Sequence, residues 1–258
     1  MPRAVLIEPC YEICTCYWYY AVENHLWRYA PLWAWRVDRL RKRDATRIRV
    51  VEAIESVDPQ LVAGCGHGAP NLFTGQFGVP IFSVCTEDVL ARRIVFLLSC
   101  DTAAELGPDA VRKGARAYIG WDAPVVFVVS SPPRIRDPAT DPFAWPLFDA
   151  SLSLLGSLMW GKTAGEAVEA YMRRSSYWYR YWLSRSDGTY VAASIAHDAK
   201  HLRLLGDPSA RIVIGRVVPP TVYASAGLAA VASALALSGH RTAASIAGLA
   251  SLLVSLPR

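Results

Sequence analysis

Charge is scarce in this chain. Only 19% of its 258 residues are Asp, Glu, Lys or Arg, and 53% are apolar. Average chains are near 25% charged, so either much surface is buried or part of the chain meets lipid. The net charge of +5 is mild, and no long basic tract interleaves with aromatics. The densest run, RLRKR at 39–43, reads as a solvated helix face or loop, so no nucleic-acid partner is expected. No secretory signal opens the chain, because the apolar stretch AVLI at 4–7 is too short for one. The folded part is therefore expected in the cytoplasm. GxSxG and GxGxxG are both missing, which removes the serine-hydrolase elbow and the dinucleotide turn. Six cysteines stand at 10, 14, 16, 65, 85 and 100. Cys10, Cys14 and Cys16, with His25 nearby, match no common zinc spacing, so no metal and no cofactor is expected. Without a secretion signal they are read as buried or half-buried thiols, not as a disulfide framework.

What is present alternates. RAVLIEP at 3–9, LVAGCG at 61–66, RIVFLLSC at 93–100, ARAYIGW at 115–121 and VVFVVSS at 125–131 read as strands. Helices are expected over 16–29, from Asp44 to about Ser56, over 102–113, and over 147–160 and 163–184. Residues 32–40 read as a strand or an irregular stretch, and 70–93 as a hairpin-like insertion. Strands alternating with helices predict an α/β fold with a mainly parallel sheet, whose sites form at the carboxyl ends of strands.

Two motifs match known patterns in the wrong context. Gly156–Thr163 fits the phosphate loop GxxxxGK[ST] and would make a nucleotide-binding protein. The segment before it, FDASLSLLGSLMW, has helical character, and Thr163 with Glu166 reads as a capping box. His197 and His201 in HDAKH share a helix face, but Asp198 stands where a zinc protease holds Glu. They read as surface or capping histidines.

One pair carries chemistry. His67 closes the run LVAGCG, and Cys100 closes VFLLSC, 100 − 67 = 33 positions later. A thiol needs a nearby base to act as a nucleophile at neutral pH, and a histidine supplies it. The glycines beside His67 admit a close backbone approach, leaving the Gly68 N–H free to point into a site. A helix after Cys100 would favour thiolate through its dipole.

LVAGCGHG at 61–68, followed by RIVFLLSCDTAAELGPDAVRKGARAYIGW at 93–121, resembles the caspase-like (clan CD) cysteine peptidases. The His-to-Cys interval and LLGDPSARI at 204–212 look most like the gingipain-type branch, with CHAT-type relatives next. The resemblance covers about residues 4–212. It implies a three-layer α/β/α sandwich and thiol-based hydrolysis of a protein or peptide substrate. Cys100 would be the nucleophile and His67 the general base, with the Gly68 and Cys100 N–H groups as oxyanion hole. Some relatives hold an acid two positions before the cysteine; Leu98 stands there instead. An acid after the first strand, Glu8 or Glu12, is the alternative specificity group, and Trp121 could wall the substrate pocket or sit in the core. Non-catalytic clan members exist, so a membrane-tethered scaffold that binds without cutting is the alternative function.

Beyond this domain, expected over 1–215, lies an apolar tail at 216–258. Val217–Gly239 holds 23 consecutive uncharged residues, and 16 more follow His240-Arg241. The tail reads as a possible membrane hairpin, with Arg211, Arg216 and Arg258 on the cytoplasmic side, or as a pair of packed soluble helices.

Overall fold

The computed structural model describes residues 1–84 and 88–214. The expected hairpin over 216–258, and Cys85, lie outside the described residues. No helix among the described residues is long and apolar enough to cross a membrane.

The middle layer is a six-stranded sheet in the order β2-β1-β3-β7-β8-β9. Its strands are β1 (Arg3–Glu8), β2 (Arg36–Arg41), β3 (Leu61–Cys65), β7 (Ile94–Leu98), β8 (Ala117–Trp121) and β9 (Leu202–Gly206). All neighbours run parallel except β9, which is antiparallel to β8. Strands β1, β3, β7 and β8 are buried nearly throughout. That is why they read as unbroken apolar runs instead of an alternating pattern.

The pleat still sorts their side chains. Val5, Ile7, Val62, Val95, Leu97 and Tyr118 share one face and one core. There they meet α2 (Arg47–Val57), α3 (Leu106–Arg112) and a small antiparallel sheet. That sheet is β4 (Gly68–Ala69), β5 (Leu72–Thr74) and β6 (Pro80–Ser83), the hairpin-like insertion expected over 70–93. The opposite face carries α1 (Ile13–His25), α4 (Trp145–Met159), α5 (Ala164–Leu183) and α6 (Thr189–His201). Trp18 of α1 packs edge-on to Phe96, and Tyr171 of α5 edge-on to Trp121. The chain is thus α/β with helices on both faces of a mostly parallel sheet.

Several expectations change. VVFVVSS is irregular, not a strand, because β9 has taken the open edge of β8 through the pair Trp121–Leu202. The helix after Cys100 begins only at Leu106. Asp101 sits in the left-handed region at φ +59°, and Pro108 is tolerated only in a first turn. Gly156–Met159 is helical in α4, and Thr163 caps α5 reciprocally with Glu166, so the phosphate-loop match is the end of one helix and the start of the next.

Candidate active site

The connection of β1 runs to β2 on one side, while β3 lies on the other, so the order reverses beside β1. Ligands of open α/β sheets collect outside the carboxyl ends of strands at such a reversal. Three segments leave the sheet here: Cys10–Cys16 after β1, Gly66–Gly68 after β3, and Ser99–Asp101 after β7.

Strands β3 and β7 pair in parallel with Cys65 opposite Leu98. The Gly66 N–H extends the ladder to the Leu98 carbonyl at 3.3 Å. Two residues further on each chain stand His67 and Cys100. Both line one cavity of about 60 Å³. Gly68 is held against the second loop: a Cβ there would lie 2.3 Å from the Cys100 carbonyl oxygen and 2.3 Å from Ser99 Oγ. Any side chain at 68 would push the two loops apart. Thr74 N–H donates to the His67 carbonyl at 2.9 Å. The next pair, Gly68–Phe73, is therefore the non-hydrogen-bonded kind, and the Gly68 N–H turns away from the hairpin.

Cys100 is half-buried, and its Sγ accepts the Val125 N–H at 3.3 Å. Burial pushes its thiol up; the Val125 N–H opposes this, and Asp101 and Asp198 add to it. No helix N-terminus lies behind it, which corrects the expected dipole assistance. The thiol is therefore protonated at neutral pH until a base takes the proton. Cys14 and Cys65 line the same cavity. Burial, with Glu12 beside it, pushes Cys14 up to about 12, and burial holds Cys65 well above its ordinary value. No hydrogen bond joins His67 to Cys100 among the described residues. The His67 side chain is 52% exposed.

Glu12 is not on the cavity wall. It caps α1, accepting the Thr15 N–H at 2.6 Å and the Cys14 N–H at 2.7 Å, and its Oε1 lies 3.7 Å from His67 Nε2. Burial pushes its carboxyl up, but those N–H groups and His67 outweigh it and hold it below its ordinary value. Glu12 thus faces the imidazole, a neighbour the sequence reading did not foresee. Glu12→Ala is expected to cost about 1 kcal/mol through the lost cap. Thermal unfolding followed by circular dichroism should show a fall of roughly 2–4 °C.

The other expected groups fall elsewhere. Glu8 is fully buried and paired with Arg39 of β2, a sheet contact and not a specificity group. Trp121 is fully buried; its Nε1–H donates to the Asp198 carbonyl at 2.9 Å, and it stands in the core, not on the cavity wall. Positions 117, 119 and 121 share the face that carries α1, α4, α5 and α6, and Trp121 packs there against Tyr171. His197 and His201 are engaged with the Pro124 carbonyl and Asp122, each at 2.9 Å. Cys10 and Cys16 are joined by a disulfide, which corrects the free-thiol expectation. The first turn of α1 brings their Cα atoms to 4.3 Å, and a six-residue separation gave no visible pairing signal.

No family model matches the chain, and no curated protein is similar to it.

Proposed function

We propose that the chain is a cysteine endopeptidase with a caspase-like three-layer sandwich of the gingipain type. The observation that carries this reading is that His67 and Cys100 end neighbouring parallel strands and line one cavity. His67 takes the Cys100 proton as the sulfur attacks the scissile carbonyl carbon. The oxyanion that forms is held by the Gly68 and Cys100 N–H groups. The carbonyl re-forms as a thioester, and the C–N bond breaks with His67 giving its proton to the departing amine. A water, deprotonated by His67, then attacks the thioester and frees the thiol. Glu12 stabilises the imidazolium that exists between these steps. The irregular segment at 124–130 makes no backbone hydrogen bond to a neighbouring strand among the described residues. Its Val125 and Val126 N–H groups are taken by Cys100 Sγ and Asp198 Oδ1, which fixes the segment beside the nucleophile. No cofactor enters any step.

The test is cleavage of a fluorogenic peptide library by the parent and by Cys100→Ala side by side. Equal cleavage by the two overturns the reading. A binding module without turnover is the second reading, favoured by the raised thiol and the lack of a His67–Cys100 hydrogen bond. Sites of this kind often tighten only with substrate bound.

The apolar run at 217–239 would tether the domain to a membrane. The full-length chain is then expected in the pellet after a high-salt wash and in solution after detergent. Release by salt alone counts against the tether.

A further inference from the structure

We infer that the cavity beside Cys100 takes an uncharged aliphatic side chain, up to the size of leucine, from the residue on the acyl side of the cleaved bond. This rests on the peptidase reading above.

The cavity reaches from Cys100 and His67 to Leu98, Val125, Phe127, Leu147 and Phe148. Among the described residues, no Asp, Glu, Lys or Arg lines it. A charged side chain entering it would lose its water and meet no counter-charge, a large penalty. Glu12, the carboxylate that faces His67, is committed to the α1 cap and to that imidazole, and Asp198 to the Val126 N–H. Ser99 is the one hydroxyl on the wall among the described residues. It is 2% exposed, and its Oγ lies 2.3 Å from where a Gly68 Cβ would stand, so it is turned toward that backbone. The dominant surface offered to a side chain is therefore hydrocarbon.

Size sets the upper limit. The cavity is about 60 Å³. One water needs roughly 10–15 Å³ on this measure, and a cavity that binds benzene measures about 150 Å³. The space falls well short of one that holds a benzene ring, which favours a branched aliphatic group over a phenyl ring. Phe127 forms part of the limit, packed between Tyr17 and Phe148.

The experiment uses the intact chain and peptidyl acyloxymethyl ketones that differ only in the acyl-side residue: Ala, Val, Leu, Phe, Asn, Asp and Arg. The Cys100 sulfur bonds to the ketone methylene as the carboxylate leaves, and mass spectrometry reads the rate at Cys100, with Cys100→Ala as the blank. Leu, three carbons larger than Ala, is expected to react at least about tenfold faster, the low end of what even one methylene gives in an apolar pocket. Against Arg, Asp and Phe the expected advantage is at least about a hundredfold. In Phe127→Ala the Phe-to-Leu rate ratio should rise at least about tenfold, because the ring that closes the cavity is gone. Fastest labelling by Arg, Asp, Asn or Phe overturns this inference while the Cys100 nucleophile stands. Failure of every probe to label Cys100 faster than iodoacetamide does overturns the peptidase reading, and the inference with it.

Discussion

Peptide hydrolysis by the Cys100→Ala chain is expected to fall at least ~10³-fold below the parent, about 4 kcal/mol of lost transition-state stabilisation. Removing a nucleophile that works as a unit with its base costs as much as removing both. His67→Ala should therefore cut turnover nearly as far, and the double variant should be little worse than either alone. The raised Cys100 thiol sharpens this expectation. A preformed thiolate would keep much of its reactivity without His67, whereas a protonated thiol would not. Alkylation of Cys100 by iodoacetamide at pH 7 should thus slow in His67→Ala, with unfolding midpoints close to the parent's. Cys100→Ala cleaving as fast as the parent would remove the nucleophile from the mechanism. A parent chain that cleaves nothing in the library, with Cys100 no more reactive than Cys14, would leave a binding module.

The sheet was legible because its strands are buried on both faces: LVAGC, IVFLL and AYIGW read as apolar runs, and each is a strand. His67 and Cys100 stood out because glycine and aspartate end those runs. Three things were hidden. Pairing at 125–131 could not be judged without knowing that β9 occupies the edge of β8, a contact between residues far apart in sequence. The role of Glu12 depends on the loops after β1 and β3 meeting, and sequence separation says nothing about that. The disulfide Cys10–Cys16 carries no sequence signal, because a six-residue separation does not show that the turn into α1 brings the two Cα atoms to 4.3 Å. In the first two cases the local residues had the right chemistry, and the deciding partner lay on another strand or loop.

Asp198→Asn is expected to stabilise the chain, and to do so only as pH rises. Asp198 lies in α6, 2% exposed, with its Oδ1 accepting the Val126 N–H at 2.9 Å. Around it stand Tyr171, Ser175, Ser194, Phe127 and Leu147, and no cation pairs with it among the described residues. Burial pushes its carboxyl up to about 8, with the Val126 N–H opposing. The unfolded chain releases this proton near pH ~3.9. Between those values the folded state holds a proton that the unfolded state has lost, so stability falls as pH rises, by about 1.4 kcal/mol per unit at most. This contribution is complete below pH ~4 and gone above the folded value; the whole span is bounded by roughly 6 kcal/mol. Asn keeps an oxygen for the Val126 N–H but has no proton to lose. Its thermal midpoint should match the parent's near pH 4 and exceed it increasingly up to about pH 9, by on the order of 10 °C. A difference that does not change with pH would show that Asp198 does not titrate in this range. Asp198 also holds Val126, and the adjacent Val125 N–H donates to Cys100 Sγ. Asp198→Leu, which removes that acceptor, should therefore slow Cys100 alkylation where Asp198→Asn does not.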